Sequence, residues 1–358
     1  MLDFLKKIFN ISQKTNMEKE IYSQPEIVKN LVKKYIQNGK NIKIDLPENI
    51  KKIALIASGS SYHSATIAAN FLRQNAHTDA QSYYASEVAL LDSVDADSDT
   101  LYIFISQSGE TTDTNNALEK IRQKTDKTLA ITNTKNSTLY NNSKYKVLTH
   151  AGVEKSIAST KAMCAQMYCL FLISVKIMQQ KELPVDSFLK ELKQIPESIN
   201  TTFEKREEVI KYSKLLAKYD NAAVLASGMF YPLAKEAALK IKETSYINTT
   251  AYPTGEFLHG HIAILNKKCA VIAFVNNHNI DFTMNVLDKV NNNYKTDTLV
   301  ISAFPLYTPN DKIVINVASA GEINFMFCTL ILLQLLAFET ASTLKRNIDK
   351  PNGLSKVV

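Results

Sequence analysis

The chain has 358 residues, of which 45 % are apolar and 22 % charged, with a formal charge of +7. This balance excludes a disordered or fibrous chain and is long enough for two domains with a sizeable buried core. The lysines are scattered among Glu, Asp and Asn and form no long like-charge block, so the positive charge does not point to nucleic acid.

Residues 1–16 form a short amphipathic stripe, with Leu2, Leu5, Ile8 and Phe9 beside Lys6 and Lys7. A stripe this short reads as a frayed extension rather than a membrane-surface helix, because short isolated helices are marginal in water. It lacks the apolar core and small-residue cleavage site of a signal peptide, so a cytoplasmic protein is expected. From Met17 an amphipathic helix follows, expected to break near Pro25. Apolar strand candidates then recur at Ile53–Ala57, Leu101–Ile105, Thr128–Thr132, Ala223–Ala226, Val271–Val275, Leu299–Ala303 and Ile313–Val317. Helical patterns lie between many of them, which predicts an α/β fold with parallel sheets covered on both faces.

The two longest apolar runs, Cys164 to Met178 and Phe325 to Phe338, fall short of the roughly 18 to 20 residues a membrane span needs. They are read as core helices, and no membrane partner is expected. Cys164, Cys169, Cys269 and Cys328 form no metal-like or C-x-x-C spacing and are read as buried apolar residues. There is no G-x-G-x-x-G after a strand and no Walker motif, so no organic cofactor is implied.

The chain echoes itself. Residues 53–69 (IALIASGSSYHSATIAA) match residues 222–238 (AAVLASGMFYPLAKEAA) at a constant offset of 169, pairing Gly59 with Gly228 and Tyr62 with Tyr231. Ala65, Ala68 and Ala69 likewise pair with Ala234, Ala237 and Ala238. Two copies of one α/β unit are therefore expected, joined near residues 195–215. The partition is an extension over 1–16, a helical segment over 17–46, units over 47–200 and 201–345, and a tail over 346–358.

Three strand-to-helix turns are rich in hydroxyls: SGSS at 58–61, SQSGETT at 106–112, which has no Lys or Arg, and SIASTK at 156–161. Gly109 permits a tight turn, and Ser108, Thr111 and Thr112 are available to cap the next helix, as Ser159 is for the helix after it. Plain capping would use only one hydroxyl per helix. The surplus beside helix N–H groups suits a phosphorylated, polyhydroxylated ligand. Farther along, Glu236, Lys240 and Glu243 share one helix face opposite Ala234, Ala237, Ala238 and Ile241. On spacing alone this is a solvated face with a Glu236–Lys240 ion pair.

SGSSYHS, SQSGETTDT and SIASTKA resemble the motifs of the sugar-isomerase (SIS) family, specifically the isomerase half of glucosamine-6-phosphate synthase. The similarity continues through EAALKIKETSYI, GEFLHG and DKPNGLSK and implies two tandem doubly wound SIS domains. By this resemblance Ser61, Ser106, Gln107, Ser108 and Thr111 hold the phosphate, and Ile157, Ser159 and Ser355 touch the sugar. Glu243 is the base that moves a proton between C1 and C2, and Lys240 stabilises the developing oxyanion. His259 opens the sugar ring and reaches into a partner's site, which implies a homodimer. Lys356 forms a Schiff base with the ketose under a closing tail, held down by Leu354, Val357 and Val358. The chain departs from the family at His261, where Pro is common, and at Asn352 and Gly353, where Arg and Asn are common. His259-x-His261 without carboxylate or Cys company does not make a metal site.

The sequence has no room for the synthase's glutaminase domain and no Cys before Cys164. The expectation is a deaminase that converts glucosamine 6-phosphate to fructose 6-phosphate and ammonia. The alternatives are a deglycase or isomerase for another amino-linked sugar 6-phosphate, and a sensor without turnover. The sensor usually has a helix-turn-helix domain, for which this chain has no space, and Lys240, Glu243, His259 and Lys356 are all present.

Overall fold

The computed structural model describes residues 15–91, 94–265, 269–306, 312–317 and 319–356. The stripe Leu2, Leu5, Ile8 and Phe9 and the terminal Val357 and Val358 lie outside these residues. The first described element is a helix over Asn16–Tyr35, capped by the Thr15 hydroxyl, which accepts from the Glu18 N–H. A small antiparallel pair follows, β1 (Ile36–Gln37) and β2 (Asn41–Ile42).

Two five-stranded parallel sheets make the body. The first contains β3 (Lys52–Ala57), β4 (Asp79–Tyr84), β5 (Thr100–Ile105), β6 (Thr128–Thr132) and β7 (Tyr145–Leu148), in the order β4-β3-β5-β6-β7. The second contains β8 (Asn221–Ala226), β9 (Asn248–Pro253), β10 (Cys269–Val275), β11 (Thr298–Ser302) and β12 (Lys312–Asn316), in the order β9-β8-β10-β11-β12. The orders are the same, so the sequence echo is a structural repeat. In each sheet the chain reverses its direction of winding beside the first strand, at the place where open α/β sheets hold ligands.

Seven strands match the expected apolar runs to within one or two residues. β4, β7 and β9 were not expected. All three are edge strands, with one hydrogen-bonded neighbour and half-exposed sequences such as DAQSYY and NTTAYP. An edge strand buries little surface and so carries a weak apolar signal.

The Asn16–Tyr35 helix does not break at Pro25. Proline deprives the Ile21 carbonyl of its helical donor, and the Gln24 side-chain amide takes its place at 3.0 Å. The same device carries the Asp186–Thr202 helix through Pro196, where the Tyr168 hydroxyl donates to the Leu192 carbonyl at 3.3 Å. The expected joint near 195–215 is therefore mostly helical, running on through Arg206–Leu216.

The helices Lys161–Gln180 and Glu322–Thr343 are 20 and 22 residues long, enough to cross a membrane by length and composition. The expectation that they are too short is wrong, because helix extends past each apolar run. Their most apolar windows are 89 % and 100 % buried inside the protein, so packing against other elements accounts for their apolarity. The four cysteines are free and buried.

The two repeat helices, Gly59–Asn75 and Tyr231–Ser245, pack directly on each other. Ser60 and His63 of the first meet Glu236 of the second across this contact. That contact brings the two repeats' functional residues together.

Candidate active site

The first site element grows from the end of β5. Ser106 is buried, its hydroxyl 2.9 Å from Thr111 Oγ1 and 3.5 Å from Ser108 Oγ, and it accepts the Gly109 N–H at 3.1 Å. Thr111 occupies the N-cap of the Thr112–Arg122 helix but makes no side-chain cap bond. Plain capping therefore does not account for these hydroxyls, and the first N–H groups of the helix are left for another acceptor. Gly109 holds φ at +71°, and a Cβ there would lie 2.1 Å from Ser137 Oγ. Gln107 is half-buried, and its carbonyl accepts the Asn133 N–H at 3.1 Å. Asn133 in turn accepts from the Ala151 N–H at 2.7 Å, linking this loop to the one after β7.

The SGSS turn lies beside it, since β3 and β5 are neighbours that end together at Ala57 and Ile105. Ser61 donates to Gln166 Oε1 at 2.9 Å. The buried Gln166 amide nitrogen has no hydrogen-bond partner in the protein, which leaves a donor near Ser61.

In the third loop the N-cap of the Lys161–Gln180 helix is Thr160, not Ser159, and its side chain makes no cap bond. The capping acceptor is Glu154, whose Oε1 receives the N–H groups of Thr160 at 2.9 Å and Ala162 at 3.0 Å. A carboxylate outcompetes a hydroxyl here because it accepts two N–H groups and carries charge toward the positive helix end. Ser159 is thus released from capping and is half-buried. The Ile157 N–H donates to the Asp349 carbonyl at 3.2 Å, so it is committed to the tail.

The charged face of Tyr231–Ser245 is not solvated. Glu236 and Lys240 have side chains 0 % and 1 % exposed, and Glu243 is 21 % exposed. Lys240 Nζ lies 2.5 Å from Glu243 Oε2 and 3.7 Å from Glu236 Oε1. Glu236 also reaches across the repeat contact, accepting from Ser60 Oγ at 2.9 Å and meeting His63 Nδ1 at 2.7 Å. Burial by itself raises the Glu236 carboxyl, but Lys240, His63 and Ser60 outweigh it and hold it below its ordinary value. Burial likewise works to lower Lys240, yet Glu236 and Glu243 prevail and hold it above its ordinary value, with a further contribution from Glu154. Lys240 is therefore a fixed cation in a dry setting, with a partly open carboxylate next to it.

The tail runs to the same region. Asp349 accepts the backbone N–H groups of Asn16 at 2.8 Å and Met17 at 2.9 Å, and the Asn352 N–H donates to the Tyr246 hydroxyl at 2.8 Å. Lys356 Nζ donates to Glu154 Oε2 at 2.6 Å and to the Ser156 carbonyl at 2.7 Å. Leu354 is 42 % exposed, so polar bonds hold the described tail where apolar anchoring was expected. Ser355 is exposed. His259 sits on an exposed turn after Glu256–Leu258, and among the described residues it makes no bond to Lys240 or Glu243. His261 packs against Tyr252 in a tilted arrangement, ring centroids 4.6 Å apart. No metal-holding group of His, Cys, Asp and Glu occurs among the described residues.

The SIS domain model matches residues 48–174 and 215–344, which coincide with the two sheets and their helices. The chain belongs to the SIS domain family. The SIS chain is 32 % identical over 352 residues to the glutamine–fructose-6-phosphate aminotransferase (isomerizing) of Campylobacter jejuni, covering 96 % of this chain and 58 % of that protein. The Aquifex aeolicus protein of the same name is 31 % identical over 344 residues, with 57 % of its length covered. The chain thus spans little more than half of these relatives. Among solved structures, the C-terminal domain of glucosamine-fructose-6-phosphate aminotransferase from Francisella tularensis superposes with a TM-score of 0.89 at 30 % identity, covering 95 % of this chain and 99 % of that one. A glucosamine-6-phosphate deaminase from Thermotoga maritima shares the fold, with a TM-score of 0.78 at 20 % identity over 96 % of this chain and 99 % of that one.

Within this SIS site, reasoning from sequence missed three residues. Glu154 lies two residues before the SIAST loop, and its signal is a lone carboxylate just ahead of a helix that needs N–H acceptors. His63 lies inside SGSSYHS but was given no role. Its signal was the position one turn beyond the SGSS loop, facing the repeat contact. Glu20 accepts the N–H groups of Lys155 and Ser156, a pairing across 135 residues of chain that no local pattern announces.

Proposed function

We propose that the chain is an aldose–ketose phosphosugar isomerase acting on glucosamine 6-phosphate, which it converts to fructose 6-phosphate and ammonia. The observation that carries this reading is the buried Glu236–Lys240–Glu243 row, packed against the helix that opens from the SGSS loop. The hydroxyls of Ser61, Ser106, Ser108 and Thr111, with the Gln107 loop and the free helix N–H groups, supply neutral donors for the phosphate. Such donors match a dianion without burying cations.

In this reading His259, supplied by the partner subunit of a homodimer, protonates the ring oxygen and opens the sugar. Its exposure in the single chain supports a role across an interface. Glu243 then removes the C2 proton and returns it to C1. Lys240, held as a cation by Glu236, stabilises the oxygen that becomes negative in the enediol-like intermediate. Water hydrolyses the resulting C2 imine, releasing ammonia and the ketose. In the same reading Lys356 takes the ketose carbonyl as a Schiff base, with Ile157, Ser159 and Ser355 lining the sugar. To do so it must first give up its bonds to Glu154 and Ser156.

A second reading has its own support. The higher identity and TM-score belong to the aminotransferase C-terminal domain rather than the deaminase, which favours running the site toward glucosamine 6-phosphate when ammonia is supplied. One assay covers both directions. Ammonia and fructose 6-phosphate are followed from glucosamine 6-phosphate, and the aminosugar from fructose 6-phosphate plus ammonia, with Glu243→Gln alongside. Turnover in either direction that vanishes in the variant supports the shared site. A folded wild type inactive in both rejects this substrate pair.

A further inference from the structure

Glu154 stands apart among the carboxylates of the site because every side of it is used. Its side chain is 1 % exposed. Oε1 closes the N-terminus of the Lys161–Gln180 helix through the Thr160 and Ala162 N–H groups, at 2.9 and 3.0 Å. Oε2 receives the Lys356 ammonium at 2.6 Å. The same carboxylate also acts electrostatically on Lys240. A helix end and a lysine from the distant tail thus converge on one carboxylate. The loop bearing it is held from behind, since Glu20 takes the Ser156 N–H at 3.3 Å, while the Ser156 carbonyl faces the tail lysine at 2.7 Å.

We propose that Glu154 is a positioning residue that latches the C-terminal tail over the site, setting the Lys356 amine against the third hydroxyl loop. The role in chemistry rests on the reading of the site as a ketose-phosphate site; the latch does not. Without the carboxylate, the described tail would lose the ion pair that holds Lys356. When a ketose arrives, Glu154 accepts one proton from the Lys356 ammonium. The freed amine adds to the carbonyl carbon, the nitrogen proton passing to the carbonyl oxygen, and Glu154 returns its proton to the resulting hydroxyl, which leaves as water and gives the protonated imine.

The test uses the full chain with Glu154→Gln and Lys356→Met. Gln keeps an oxygen for the Thr160 and Ala162 N–H groups but loses the charge, and Met leaves that helix end untouched. Hydrogen exchange over residues 350–356 should quicken at least about tenfold in both variants, as breaking a buried ion pair predicts. Borohydride reduction in the presence of fructose 6-phosphate should label wild-type Lys356 and label Glu154→Gln at least about tenfold less. Unchanged exchange in both folded variants overturns the latch. Loosened tails with no labelling of the wild type keep the latch and instead reject the Schiff-base reading.

Discussion

The turns that open the two repeats are nearly the same object. Ser58 and Ser227 have φ, ψ of −128°, 154° and −125°, 155°, and Gly59 and Gly228 follow at φ +55° and +57°. What lies beyond the neighbouring strand differs. In the first repeat β5 ends in Ser106, Gln107, Ser108 and Gly109, whose hydroxyls face one another and leave a helix end open. In the second, β10 ends in Asn276 to Asn279, and the loop uses up its own amides. The Asn276 N–H donates to Asn279 Oδ1 at 2.9 Å, and the His278 N–H donates to Asn276 Oδ1 at 3.0 Å. The second repeat still has a cavity there, about 340 Å³, bordered by Ser227, Gly228, Met229, His278 and Glu322. It holds a carboxylate and no hydroxyl cluster, so a phosphate would meet repulsion rather than donors. Duplication supplied two equivalent turns, and in the function proposed above the hydroxyls beside the first take the phosphate while the carboxylate beside the second disfavours it.

The largest way to break this contrast is at the contact between the repeats. Glu236→Leu leaves the Lys240 ammonium buried without its full counter-charge, and should lower stability by about 3 to 5 kcal/mol by urea unfolding. Gly109→Ala comes next, forcing a Cβ into Ser137 at φ +71°, with an expected loss of about 3 kcal/mol and of sugar-phosphate binding by calorimetry. Gly228→Ala is its control. That glycine shares a positive φ but has nothing within 4 Å of a Cβ, so only about 1 kcal/mol of backbone strain is expected. For binding itself, Ser106→Ala should weaken sugar phosphate roughly tenfold, whereas Asn276→Ala in the counterpart cavity should leave it unchanged. Equal effects would dissolve the distinction between the clefts.

The two regions should also differ in pH response. The Glu236 carboxyl is depressed below its ordinary 4.5, so its contribution to stability is present above that value and is lost as pH falls through the depressed one. Glu191 and Glu322, beside the second cleft, are raised above 4.5 chiefly by burial. Their burial is therefore least unfavourable below 4.5 and becomes costly as pH rises through the raised values. Carbon-13 titration of the glutamate carboxyls should place Glu236 below 4.5 and the other two above it. The reverse order would remove the electrostatic basis of the comparison.

Much of this arrangement was legible from residues alone, for definite reasons. Central strands such as β5, buried on both faces, must be continuous apolar runs. Repeated glycines mark the positive-φ turns that any duplicated strand–turn–helix unit requires. The hydroxyl loops declared themselves through composition, since Ser and Thr without cations at a strand end have few other uses. The edge strands β4, β7 and β9 were silent, because a half-exposed strand carries no strict pattern. Pro25 misled, because the donor that replaces its missing N–H is a neighbouring side chain whose aim depends on the fold.

The sequence by itself determined the class of fold and the duplication, since local geometry and burial periodicity are properties of short segments. Only the tertiary structure decided which charges are paired and dry. Glu236 looks like a surface residue by spacing and becomes a buried anion because its face of the helix packs against Ser60 and His63 of the other repeat. Glu154 looks like a loop residue and becomes the acceptor for a helix end and for a lysine two hundred positions away. Electrostatic partners are set by proximity in space, and spacing along a chain reports only the partners that share an element.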